Sequence, residues 1–115
     1  MNNKVEYKKI NYIMSIDNCT KENLNKININ NTGLKYIKDF INNYDKLIKP
    51  KMFNSTLSLE DKKNILENII KDIPKDLIVI RSHIKNSLYA NTMNDFKYKY
   101  EKYLDKDINR LRLLF

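Results

Sequence analysis

Residue types able to carry chemistry are scarce in this chain. It holds one histidine, one cysteine and one glycine in 115 residues, and no tryptophan. His83, within Arg81-Ser82-His83-Ile84, is the side chain whose ordinary pKa lies nearest neutrality. A general base needs an orienting partner and a nucleophile or water within reach. No neighbour in sequence supplies either, so His83 reads as structural or solvent-facing. Cys19 lies in a turn-rich stretch near Lys21, a charge that could lower its pKa. A Cys–His pair would require the fold to bring positions 19 and 83 together. Without an orienting motif, Cys19 reads as a passive thiol. A single cysteine forms no intramolecular disulfide. One His and one Cys also leave a structural zinc site short of its usual ligands. The expectation is therefore no catalytic residue, no metal and no cofactor.

The C-terminal half carries Asp72, Asp76, Asp95, Glu101, Asp105 and Asp107. Paired carboxylates can hydrolyse glycosides, but only in a cleft and at a defined separation. These alternate with lysines and read as solvated helix faces. Gly33 has no companion glycine, which argues against a phosphate-binding loop. It reads as a turn that frees the following helix to start. Three Asn-x-Ser/Thr matches, at Asn18, Asn30 and Asn54, are expected by chance because about one residue in six is Asn.

Two surface signals remain. Lys99, Lys102, Lys106 and Arg110 fall three or four residues apart, with Tyr98 near one end. Such a basic stripe could follow phosphates while the tyrosine stacks on a base. The second signal is the apolar ending Leu111-Arg112-Leu113-Leu114-Phe115. Terminal residues fray unless docked, so this ending predicts packing into the core or contact with a partner. Leu111 and Phe115 fit a core stripe, and Leu113 and Leu114 are left over for a partner.

The elements that must position these residues follow from periodicity. Lys4 to Ile16 is rich in β-branched and aromatic types, and Val5 and Tyr7 alternate with polar neighbours, which suits a strand. Thr20 is placed to cap a helical turn through Leu24. Ile27 and Ile29 suit a second short strand, so residues 1–33 could hold a small N-terminal β-hairpin. Residues 34–115 read as the helical body of a single 115-residue domain. Its helices are predicted at 34–49, 59–73, 76–90 and 93–114, with Pro50 and Pro74 as stops. Ser58 and Asp61 resemble a capping box, and Asn91 or Thr92 caps the last helix. The fold class is mainly α, a small bundle of about four helices.

Charge and hydropathy bound the function. Lys and Arg number 22 against 14 Asp and Glu, a net charge of +8. A basic surface attracts nucleic acid, acidic proteins or anionic lipid. Met1 to Lys9 has no apolar core of a signal peptide, and no run approaches the roughly 20 apolar residues of a membrane span. These features predict an intracellular, cytoplasmic protein.

The stretch from Asn64 onward resembles the LYR-motif small mitochondrial adaptor proteins. Ile65 to Pro74 takes the place of their first helix, Ile80 to Leu88 of the second, and Leu104 to Leu114 of the third, leucine-spaced helix. The Leu-Tyr-Arg tripeptide is absent, since Leu66 precedes Glu67 and Asn68, and no functional residue carries over. The resemblance implies an adaptor of a mitochondrial complex. Together the features predict a non-enzymatic interaction module: an adaptor, assembly factor, inhibitor or subunit. Its partner would have an acidic or mixed surface, and a homo-oligomer is compatible with the same features. The partner-binding residues would be Leu111, Leu113, Leu114 and Phe115. The alternative is nucleic-acid binding through Tyr98, Lys99, Lys102, Lys106 and Arg110.

Overall fold

Helices account for nearly all regular structure in residues 4–115, the part of the chain described by the computed structural model. Helix α1 spans Lys4–Ser15 and α2 spans Lys21–Asn25. Helix α3 is continuous through an α segment (Asn31–Asn43), a π segment (Tyr44–Ile48) and a last α turn (Lys49–Met52). Helices α4 (Leu59–Ile70) and α5 (Ile78–Leu88) follow. Helix α6 joins an α segment (Met93–Lys99), a π segment (Tyr100–Asp105) and a second α segment (Lys106–Arg112). No strand occurs among the described residues. Among the described residues the chain is mainly α, with six helices rather than four.

The expected N-terminal hairpin is replaced by a helix. Ile10, Ile13 and Met14 are buried at three- and four-residue spacing, and Tyr7 packs against the same core. Val5, half of the apparent alternation, is 61% exposed. The helical period of the later residues outweighs two alternating positions at the start. Ile27 and Ile29 lie in an irregular link, and Asn30 caps α3 by accepting the Gly33 N–H at 2.8 Å. Helix α3 therefore starts at Asn31, ahead of the predicted position 34.

Pro50 does not stop α3. Lys49 keeps helical dihedrals and donates its N–H to the Tyr44 carbonyl, a five-residue step. Pro50 then sits in the first turn of the last α segment, where a missing N–H costs little. The apolar stripe explains the π segments. In α6, Phe96, Tyr100, Leu104 and Ile108 are all buried and lie four residues apart. Each such step overshoots a regular α-turn by about 40°. A wider π turn absorbs that drift and keeps the stripe on one face. In α3, Ile41, Tyr44, Ile48 and Met52 are all buried along a stripe dominated by the same step.

Capping follows the local sequence. Thr20 and Thr92 accept the N–H of Asn23 and Asp95 at 3.1 and 3.0 Å. Ser58 and Asp61 form the reciprocal capping box at the start of α4. Helix α4 ends at Ile70, three residues before the predicted Ile73, which is still buried.

Helix α5 packs against α1, α4 and α6, while α1 and α3 both contact the C-terminal part of α6. One cluster of buried side chains drawn from all six helices fills the space between them. Each fully buried Ile or Leu contributes about 1.5–3 kcal/mol. The two π segments meet inside this cluster. The Tyr44 and Tyr100 hydroxyls are hydrogen-bonded, and their rings stack with centroids 6.4 Å apart. Tyr44 also donates to Asp105 Oδ1 at 2.7 Å, and Lys49 Nζ lies 3.5 Å from the same oxygen.

Candidate functional site

The last helix spreads its candidate residues over different environments. Lys102 and Lys106 are exposed, and Tyr98 is 57% exposed. Lys102 Nζ donates to the Tyr98 hydroxyl at 3.0 Å and lies over the rings of Tyr98 and Tyr103. That hydrogen bond raises the Lys102 pKa, with both tyrosines adding to the rise, so the ammonium stays charged. Lys99 is paired with Asp95 at 3.2 Å. Arg110 turns inward, donating to the Met14 carbonyl at 2.7 Å and lying 3.8 Å from Asp107. The predicted stripe thus keeps its cationic surface at Lys102 and Lys106, while Arg110 ties α6 to α1.

The apolar ending divides differently from the expectation. Leu111 is buried, and Leu114 packs against the core. Phe115 is 52% exposed and Leu113 is 37% exposed. Phe115 stands beside an open cleft of about 310 Å³ between α3 and α6, with Ile41 and Asn42 in its wall and Lys38 and Arg112 at its edge. Arg112 is held by Asp45 through paired hydrogen bonds. The guanidinium beside Asp45 holds that carboxyl below the usual carboxylate range.

His83 has a partner that the sequence does not announce. Its Nδ1 is hydrogen-bonded to Asp107, a carboxylate buried between α5 and α6. The expectation of a solvated face fails for Asp107. It occupies the inner side of α6 beside Ile108 and Leu111, where His83 and Arg110 satisfy its charge. Glu6 fails it too. It is buried at the start of α3, where it accepts the Asn30 N–H at 3.1 Å and pairs with Lys9. A His–Asp pair is the orienting half of a general-base arrangement. Cys19 feels the charges of Arg110 and Asp107, but no hydrogen bond joins Cys19 to His83 among the described residues. Burial pushes the Cys19 thiol up, Asp107 adds to the rise and Arg110 opposes it. A raised pKa favours the neutral thiol over the nucleophilic thiolate.

Gly33 is not a turn. It lies in the first turn of α3 without a positive φ. A Cβ there would stand 2.8 Å from Ile29 Cγ2 and 2.9 Å from Glu6 Oε2. The glycine permits the close approach of α1 and its buried Glu6.

Sequence reasoning also passed over Lys62. The stripe Leu59, Leu66, Ile69, Ile73 has position 62 on the same face, and a lysine fills it. A charge inside an apolar stripe was the available signal. Lys62 is 6% exposed and lines a cavity of about 250 Å³ between the end of α3, the start of α4 and the start of α6. Among the described residues no helix is long and apolar enough to cross a membrane. No family model, curated protein or solved structure matches this chain.

Proposed function

We propose that this protein is a non-enzymatic interaction module whose docking surface lies where the end of α6 meets α3. The observation that carries this reading is the exposed Phe115 ring beside the open Lys38–Arg112 cleft. Aromatic residues, Phe among them, are enriched in protein interfaces relative to the rest of the surface. Leu113 extends the apolar patch, while the exposed Lys38 suits a partner with an acidic rim. Leu111 and Leu114 hold the helix end in place from the inside.

Phe115→Ser with Leu113→Ser should abolish recovery of a specific partner after in-cell cross-linking, with the melting temperature unchanged. Equal recovery by wild type and variant sinks this reading. A second reading, nucleic-acid binding, is favoured by the exposed Tyr98, Lys102 and Lys106 on a chain of net charge +8. The Lys102 ammonium already lies over the Tyr98 ring, which leaves less of that ring for stacking on a base.

A further inference from the structure

Lys62 occupies a position that packing and capping do not explain. It lies in the first turn of α4, where the positive end of the helix disfavours a cation. Its neighbours Glu60 and Asp61 are exposed, and Asp61 is engaged in the capping box. No carboxylate lies within ion-pair distance of Lys62 among the described residues. Lysine is almost never this buried without a partner. Nor is the ammonium sealed in. The one fully enclosed side-chain polar atom without a hydrogen bond among the described residues is Ser87 Oγ.

Lys62 lines the 250 Å³ cavity together with a cluster of aromatic rings. Phe96 and Tyr100 are buried and stack with centroids 6.1 Å apart. Phe53 meets Tyr100 edge to face at 5.6 Å and is 45% exposed. Met93 is half exposed, and Lys97 is an exposed second cation in the lining. The cavity thus combines an apolar, aromatic interior with a lysine whose stem is buried and whose ammonium keeps access to solvent. Its volume is below the usual range for drug-sized ligands, so its occupant has on the order of ten heavy atoms. The one ammonium on a buried stem balances one negative charge, and Lys97, being exposed, adds little. The lining has no arginine fork or glycine-rich backbone suited to a phosphate dianion.

We propose that this cavity is a binding site for a small aryl carboxylate. The ring packs against Phe53, Phe96 and Tyr100, and the carboxylate pairs with Lys62. The competing explanation is a lysine whose stem covers apolar surface while its head reaches water. The two differ in what the charge does for a ligand.

The test titrates the full chain with phenylacetate and with its neutral isostere phenylacetamide, following the aromatic NMR signals of Phe53, Phe96 and Tyr100. Phenylacetate should shift these signals saturably and bind at least about tenfold more tightly than the amide, the scale of a charge-assisted hydrogen bond. Lys62→Met should remove that preference, and Lys97→Met should change it by no more than about twofold. Equal binding of acid and amide by the wild-type chain overturns the proposal. So does a folded Lys62→Met variant that retains the preference, or no saturable shift up to about 10 mM, weaker than ligands of this size achieve in a formed pocket. The acid–amide comparison needs only the wild-type chain, so it stands even where Lys62→Met does not fold.

Discussion

At the scale of single residues, buried polar groups define this molecule more than its surface charges do. Gly33 exists to admit Glu6. Replacing it with alanine gains at most about 1 kcal/mol of helix propensity. It also places a methyl group within 3 Å of two buried neighbours. Overpacking costs about 1–3 kcal/mol, and moving Glu6 weakens its bond to the Asn30 N–H. Gly33→Ala should therefore lose about 1–3 kcal/mol in urea unfolding, and a stabilised variant contradicts the packing. The tyrosines predict a pH response. Burial pushes Tyr36 up to about 12, with the neighbouring Tyr7 adding to the shift. Burial likewise raises Tyr44 and Tyr100; the contact with Tyr100 pushes Tyr44 further up, while the hydrogen bond shared with Tyr44 partly opposes the rise at Tyr100. The unfolded chain then releases tyrosine protons first, near pH 10. Stability is complete below about pH 10 and falls as pH rises toward about 12, because the native state retains protons the unfolded state has lost. Urea midpoints across this window should fall, and less steeply in Tyr36→Phe.

At the scale of elements, the π segments do what periodicity alone could not announce. A run of four-residue steps looks helical in sequence, and α6 is helical from Met93 to Arg112. Only the packed structure shows where the accumulated drift is absorbed. Placing Tyr44, Tyr100 and Asp105 within the two π segments brings their polar atoms together inside the core. Pro50 follows the first of these segments and occupies a position that needs no N–H donor. Pro50→Ala should change stability by less than about 1 kcal/mol, well below the roughly 3 kcal/mol of a proline inside a helix. A change of that larger size in thermal unfolding would show that the proline shapes the π turn. The caps, by contrast, were legible. Thr20, Ser58 and Thr92 each precede an apolar run at the spacing a side-chain oxygen needs to reach the third residue on.

At the scale of the whole molecule, the net charge is +8, but the cations of the last helix do not form a continuous track. Lys99 is paired, Arg110 is turned inward, and Lys102 and Lys106 remain exposed. If single-stranded nucleic acid binds this face, two released counterions give a log–log salt slope of about −1.4. Lys102→Glu with Lys106→Glu should bring binding on this face to background in a fluorescence-anisotropy titration. A slope several times steeper, or binding unaffected by the double variant, would place any nucleic-acid contact on other cations.

The sequence by itself determined the mainly helical class, the positions of five of the six described helices, and the caps of three. Those features rest on local periods and short side-chain reach, which a linear pattern records. It also showed a single cysteine and a single histidine. Tertiary structure decided the rest, because each remaining feature joins residues distant along the chain. Helix α1 is set by burial against α5 and α6. Asp107 finds His83 across a helix interface, and Glu6 finds the N-terminus of α3. Lys62 becomes conspicuous only when α3, α4 and α6 enclose it with aromatic rings. A charge is legible in sequence, but its desolvation and its partner are properties of the packed molecule.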